Sequence, residues 1–163
     1  LVVYNMERFA KDCVNVFCEL SGYEKKKVGS APTPFLDESK ETKPHGAPAK
    51  VGLSPYRNQV LDEIMYIARF ARQDLPRAVG ALTTMITRWG EACDRKLFRI
   101  IRYPDGTVEW RQIGVIGDGP DELELGLFLD ADFAGDRDAM RSTSGVCSSP
   151  CAALIAFPLG WAK

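Results

Sequence analysis

The chain has 163 residues, 45% of them hydrophobic and 26% charged, with a formal net charge of −1. That is enough for one domain, or for one small domain with part of another, at a composition typical of globular proteins. The balanced charge gives no global pull towards nucleic acid or membrane. No apolar run approaches the ~20 residues of a bilayer span, and polar residues from Asn5 to Asn15 interrupt Leu1–Phe17 too often for a secretory signal.

Taken in chain order, Val3–Leu20 reads as an amphipathic helix, with Phe9, Cys13, Val16, Phe17 and Leu20 on one face and Gly22 as its stop. Residues 23–54 change character: three lysines (Lys25–Lys27), then Pro32, Pro34, Pro44 and Pro48 among Ser, Thr, Glu and Lys. This is a linker composition, expected to be extended or disordered.

Ser54-Pro55 supplies an N-cap and a first-turn proline for a helix burying Tyr56, Val60, Ile64, Ile67, Ala68 and Ala71. A second helix is expected from Asp74 to Gly90, with the stripe Leu75, Val79, Leu82, Ile86 and Trp89. A third runs from Glu91 to Tyr103, with Ala92, Leu97, Ile100 and Ile101 inward and Pro104 as its stop. Pro104-Asp105-Gly106 is then a turn, and Thr107–Ile113 a short strand.

The third helix carries Arg95, Arg99 and Arg102 at helical spacing, with Lys96 beside them and Arg88 nearby. Arginine forks match phosphate oxygens, so the stripe is a candidate nucleic-acid contact. Charge runs more often only solvate a helix face, and Glu91 and Asp94 partly offset this one.

After a turn at Gly117–Asp121, four leucines recur at every second position: Leu123, Leu125, Leu127 and Leu129. That is a strand period, and it is expected to turn one face into core. The other face carries Glu124, Gly126, Phe128, Asp130 and Asp132, and the following loop adds Asp136 and Asp138. Carboxylates this close repel unless solvent or a cation neutralises them, and all-oxygen ligands suit Mg²⁺ or Mn²⁺. A calcium loop fits at Asp130, Asp132 and Gly135 but fails at Ala134 and at Arg141, where a bidentate Glu is required. On residue types alone, the first choice is that the acids merely end a strand and solvate a loop. Strands at Thr143–Ser149 and Leu154–Trp161 complete an antiparallel meander, for an α+β fold with helices first and sheet last.

Five cysteines (Cys13, Cys18, Cys93, Cys147 and Cys151) fit no zinc spacing and read as reduced structural thiols of an intracellular protein, cytoplasmic or nuclear. The single histidine, His45, lies in the Pro/Gly/Lys-rich stretch and gives no support to a Ser-His-Asp or Cys-His mechanism.

The segment Asp130-Ala131-Asp132-Phe133-Ala134-Gly135-Asp136, followed by Arg141-Ser142-Thr143-Ser144-Gly145, resembles the start of the ribonuclease H domain of copia-type LTR retrotransposon Pol polyproteins. The helical block carries echoes of the same family at Tyr56, Met65–Ala68, Asp74-Leu75, Ala78–Leu82, Arg102-Tyr103 and Gly106-Thr107. Gln73 interrupts the family's Arg-Pro-Asp, and Pro104-Asp105 departs from its Arg-Tyr-Leu segment. Ala31-Pro32-Thr33-Pro34 resembles the Thr-Pro-containing stretch after the reverse transcriptase body.

The resemblance implies a division into a reverse transcriptase remnant (1–22), a linker (23–54), a helical connection (55–113) and part of a ribonuclease H-like domain (114–163). That fold begins with three antiparallel strands. It also implies an RNA–DNA hybrid as partner and two divalent ions held ~3.5–4 Å apart by carboxylates. Asp130 corresponds to the family's first metal-binding aspartate, with Asp132 and Asp136 secondary. The family's remaining carboxylates fall beyond Lys163, and its Tyr-x-Asp-Asp polymerase hairpin is absent, so this polypeptide alone is expected to be inactive. The leading Leu, in place of Met, points to an excerpt. A sheet with one face uncovered is expected to be poorly stable. The other reading is a non-catalytic relic or domesticated module binding nucleic acid through Arg95, Lys96, Arg99 and Arg102.

Overall fold

A computed structural model describes residues 1–35, 52–131, 142, 144–152, 155–156 and 159–162. The fold is α+β: a two-stranded antiparallel sheet is formed by segments on either side of the four helices, and a second antiparallel sheet follows them in the chain. None of the described helices is long and apolar enough to cross a membrane.

The first residues are a strand, not helix: β1 (Val2–Tyr4) pairs antiparallel with β2 (Gln112–Gly114). Helix α1 (Glu7–Ser21) starts where the Asn5 side chain accepts the Glu7 amide at 3.1 Å, and it ends at Gly22 in the left-handed conformation (φ 68°). Ala10, Cys13, Val14 and Phe17 form its buried face, while Phe9 turns outward against Tyr66.

Helix α2 (Arg57–Phe70) buries Val60, Leu61, Ile64, Ile67 and Ala68. Tyr56, not Ser54, is its N-cap, with no side-chain cap bond; the Ser54 hydroxyl instead accepts the Arg57 side chain, from Nη1 at 2.7 Å, and its carbonyl accepts the same nitrogen. Helix α3 (Pro76–Thr83) is shorter than the stripe implied. Thr83 and Thr84 each donate their hydroxyl to a carbonyl three residues back, at 2.7 and 2.8 Å, and this competes with the helical ladder. Ile86–Arg88 then form a 3-10 turn.

Helix α4 (Glu91–Gly106) runs through Pro104 rather than stopping before it. Proline removes only one donor here. The Tyr103 carbonyl accepts the Thr107 hydroxyl at 2.8 Å, and the Pro104 carbonyl accepts the Thr107 amide at 3.2 Å.

One apolar core joins all four helices, with Phe17, Leu61, Ile64, Ile67, Leu97 and Ile101 at its centre. Its described part also takes in Val28, Ala31 and Leu53, residues of the segment whose composition reads as a linker. Residues 28–35 are therefore a strap seated on α4, and the Ala31 amide donates to the Arg102 carbonyl at 3.2 Å.

In the second sheet, β3 (Glu124–Ala131) and β4 (Ser144–Ala152) pair in one continuous antiparallel ladder from Glu124↔Cys151 to Ala131↔Ser144. Val146 has Leu129 as partner on one side and Ala162 on the other, so β4 is central. Its second edge is met by two short strands, β5 (Ile155–Ala156) and β6 (Gly160–Ala162), where a single strand was expected. Strand β6 lies against α2.

Arg72, only 4% exposed, links the helical core to β2. Its Nε and Nη2 fork onto Asp74 at 3.1 and 2.8 Å, and Nη1 and Nη2 reach the Thr107 carbonyl and hydroxyl at 3.2 and 2.7 Å. The guanidinium also packs on the Tyr103 and Trp110 rings, 5.1 and 5.5 Å from their centroids. Next to it, Gln73 Nε2 donates to Gln112 Oε1 of β2 at 3.1 Å.

Burial alone would raise the pKa of Asp74, but hydrogen bonds from Arg72 and Tyr103 and the Arg72 charge reverse this and hold it below its ordinary value. Arg72→Leu is expected to destabilise the fold by about 3 kcal/mol at pH 7, because it leaves a partly buried carboxylate without its partner. A depressed carboxylate contributes stability above its unfolded pKa and loses it as pH falls through the folded value. The wild-type advantage over Arg72→Leu should therefore be flat near neutrality and shrink below about pH 4. Urea titrations of both proteins across that range would check it.

Candidate metal centre and cationic face

Asp130 is the penultimate residue of β3, directly opposite Gly145 of β4, and its side chain is exposed. It shares a face with Glu124, Gly126 and Phe128. Glu124 is six positions back along the strand, roughly 20 Å away at ~3.3 Å per residue. Asp132 and Asp136, like Asp138 and His45, lie outside the described residues. No group of three metal-ligating side chains exists among the described ones. Among the described residues Asp130 is the one predicted metal ligand, and one exposed carboxylate does not fit a two-ion site for Mg²⁺ or Mn²⁺.

The leucine face is not core. Leu125, Leu127 and Leu129 are 71%, 61% and 72% exposed. On the other face Cys147 and Ser149 of β4 are buried, while Phe128 of β3, opposite Cys147, is itself 56% exposed. Alternation establishes that the two faces differ. It does not establish which of them meets another layer.

All five cysteines are free. Burial, and after it the charges of Glu63 and Asp12, pushes the Cys13 thiol up to about 12, and burial also raises Cys18 and Cys147. None of these three is an activated thiolate. Cys147 and Cys151 lie four residues apart on one strand, ~13 Å along it, beyond the reach of a disulfide.

The structure divides the cationic stripe of α4. Arg99 and Arg102 come together on the strap: Arg99 Nε donates to the Phe35 carbonyl at 2.8 Å and its Nη2 to Thr33 Oγ1 at 2.9 Å. Arg102 Nη2 donates to the Ser30 carbonyl at 2.7 Å, and its guanidinium packs on the Phe98 ring. Burial and the neighbouring Arg102 charge lower the Arg99 pKa. Arg95 turns instead to Glu91, at 3.7 Å, and Lys96 is half-buried. Arg88 stands apart, in the 3-10 turn. The strap contact has no counterpart in the helical spacing that singled out these residues. Its only sequence trace is the pair Val28 and Ala31 at helical reach in a polar stretch.

A shallow groove along α1, lined by Asn5, Glu7, Arg8, Lys11, Asp12, Asn15 and Lys25, contains neither group of residues. Its charges pair locally, Lys11 with Glu7 at 2.7 Å and Arg8 with Asp12 at 3.9 Å. No family model, curated protein or solved structure matches this chain.

Two neighbouring positions of β3 are expected to respond in opposite ways. A Cβ at Gly126 would lie 2.5 Å from Cys151 Sγ and 3.2 Å from the Phe128 ring, so Gly126→Ala should cost about 1–3 kcal/mol through overpacking. Leu127→Lys places a charge in solvent and should change stability by no more than about 0.5 kcal/mol while reducing self-association. Urea midpoints and sedimentation velocity distinguish these outcomes.

Proposed function

We propose that this chain is a piece of a copia-type Pol polyprotein, comprising the end of a reverse transcriptase, a helical connection and the beginning of a ribonuclease H domain. The observation that carries the reading is the β3–β4 ladder. The two blocks of the resemblance, Asp130–Asp136 and Arg141–Gly145, stand apart in sequence, yet Asp130 and Gly145 are direct cross-strand partners. That juxtaposition is what the family's first metal-binding aspartate requires: a strand end beside the start of the next strand. Two short strands, β5 and β6, pair with the other edge of β4, which is compatible with the proposed meander although they are not one continuous strand. The uncovered leucines are consistent with a sheet that belongs to a larger layered domain.

On this reading the polypeptide is inactive by itself, because the resemblance maps only the first of the family's principal site carboxylates, Asp130, onto this chain. A labelled RNA–DNA hybrid incubated with pure protein and Mg²⁺ or Mn²⁺ should stay intact, with wild type and Asp130→Asn alike. Cleavage by wild type that Asp130→Asn abolishes would refute the inactivity. The family assignment is tested separately by sequencing the transcript on both sides of the chain. A Tyr-x-Asp-Asp hairpin upstream, and a helix with Glu followed by a strand with Asp downstream, are the expected result. An uninterrupted frame on both sides without either would overturn the assignment.

The alternative, a nucleic-acid-binding module using the α4 cations, draws support from the clustering of Arg99 and Arg102. It is weakened by their engagement with Ser30, Thr33 and Phe35, which phosphates would have to displace.

A further inference from the structure

We infer that Thr33 is a phosphorylation site and that Arg99 is the receptor for the resulting phosphothreonine. Thr33 is exposed, between Pro32 and Pro34, and both prolines restrict the local backbone to extended forms. Its hydroxyl donates to the Phe35 carbonyl at 2.9 Å and accepts Arg99 Nη2 at 2.9 Å. A guanidinium from another element is therefore already aimed at the oxygen that would carry the phosphate.

The electrostatics favour an anion at this point. Arg99 and Arg102 stand close enough for each to bear on the other's charge, and Arg77 adds a third guanidinium over the Phe35 ring, 5.4 Å from its centroid. The hydrogen-bond acceptors of Arg99 and Arg102 are neutral: the Ser30 and Phe35 carbonyls and the Thr33 hydroxyl. Among the described residues no carboxylate pairs with either arginine. A phosphate ester, with about −1.5 to −2 charges and three acceptor oxygens, would replace neutral contacts by charge-assisted ones.

The step is a transfer of the terminal phosphoryl group of a nucleoside triphosphate by a proline-directed kinase. The bond from Thr33 Oγ1 to phosphorus forms as the bond to the leaving nucleoside diphosphate breaks. The hydroxyl proton passes to the kinase's carboxylate base. The hydroxyl's bond to the Phe35 carbonyl is lost, but Arg99 Nε still holds that carbonyl. The consequence is local: the strap is anchored at Val28 and Ala31, and the phosphate would fasten its exposed end, Pro32–Phe35, to α4.

Ser54-Pro55 is an internal comparator. Its hydroxyl accepts Arg57 Nη1 at 2.7 Å, only three residues away, so a phosphate there would pair within its own turn and fasten nothing to α4.

The test uses the whole chain, a proline-directed kinase and ATP, with peptide mapping by mass spectrometry and timed chymotryptic cleavage after Phe35. Incorporation at Thr33 should slow that cleavage roughly tenfold in the wild type, the scale of one charge-assisted contact. In Arg99→Gln, whose fold is checked by circular dichroism, incorporation should slow it little. Arg99→Lys, which keeps the charge but not the fork, should fall between them and serves as the variant if Arg99→Gln does not fold. The proposal is overturned by modification at Ser54 with none at Thr33, by phosphorylation that leaves cleavage unchanged or faster, or by equal slowing in wild type and Arg99→Gln.

Discussion

The architecture depends on a buried cation. Arg72 sits between α2 and α3, beside the end of α4 and the approach to β2, and one guanidinium bonds Asp74 of the α2–α3 connection and Thr107 after α4 while packing on Tyr103 and Trp110. A buried charge is costly unless its donors are matched, and here four hydrogen bonds and two ring faces match them. Lysine could not replace it, because an ammonium cannot fork onto Asp74, cap Thr107 and lie flat against Tyr103 in one geometry. The same contact explains why α4 can run through Pro104. The last turn is held from outside by Arg72 on Thr107, so the missing proline donor costs the helix little.

The remaining stability is unevenly distributed. Among the described residues the contiguous apolar cluster is helical apart from Val28, Ala31, Leu53 and Leu75, and it contains no residue of β3 or β4. The second sheet is held by its ladder, by the burial of Cys147 and Ser149, and by the contact of β6 with α2. A sheet that leaves three leucines in water gains little hydrophobic free energy from folding. It is expected to open at lower free energy than the helical core, as a separate cooperative unit. The candidate aspartate thus stands on the weaker part of the molecule.

Much of this was legible in the sequence. The spacings of Val60, Ile64 and Ile67, and of Leu97, Ile100 and Ile101, place the core faces of α2 and α4. The leucine alternation locates β3, and with it the strand end that bears Asp130. What was not legible has physical causes. Strands β1 and β2 have three residues each, too few for a period, and they pair across most of the chain. Thr83 and Thr84 continue an apolar stripe on paper while their hydroxyls undo the helix. Pro104 reads as a stop because composition cannot reveal that Arg72 will support the turn behind it. Val28 and Ala31 are two apolar residues in a polar, proline-bearing stretch, and whether such residues are buried depends on what passes over them.

The cationic face shows the same limit in a form that bears on function. Arg95, Arg99 and Arg102 are equivalent by spacing, yet their positions in the fold give them different partners. Arg99 and Arg102 reach residues 64 to 72 positions away in the chain, while Arg95 meets Glu91 in its own helix. A guanidinium bound to carbonyls keeps its charge, so it still contributes to the long-range field that steers an anion. Arg99 Nε and Nη2 and Arg102 Nη2, however, are bonded to the strap, and a phosphate must displace the Ser30, Thr33 and Phe35 oxygens before it gains those bonds. An anion carried on the strap itself would meet these donors without displacing the strap. For that reason the structure favours an anionic group on the strap over a nucleic acid laid across it.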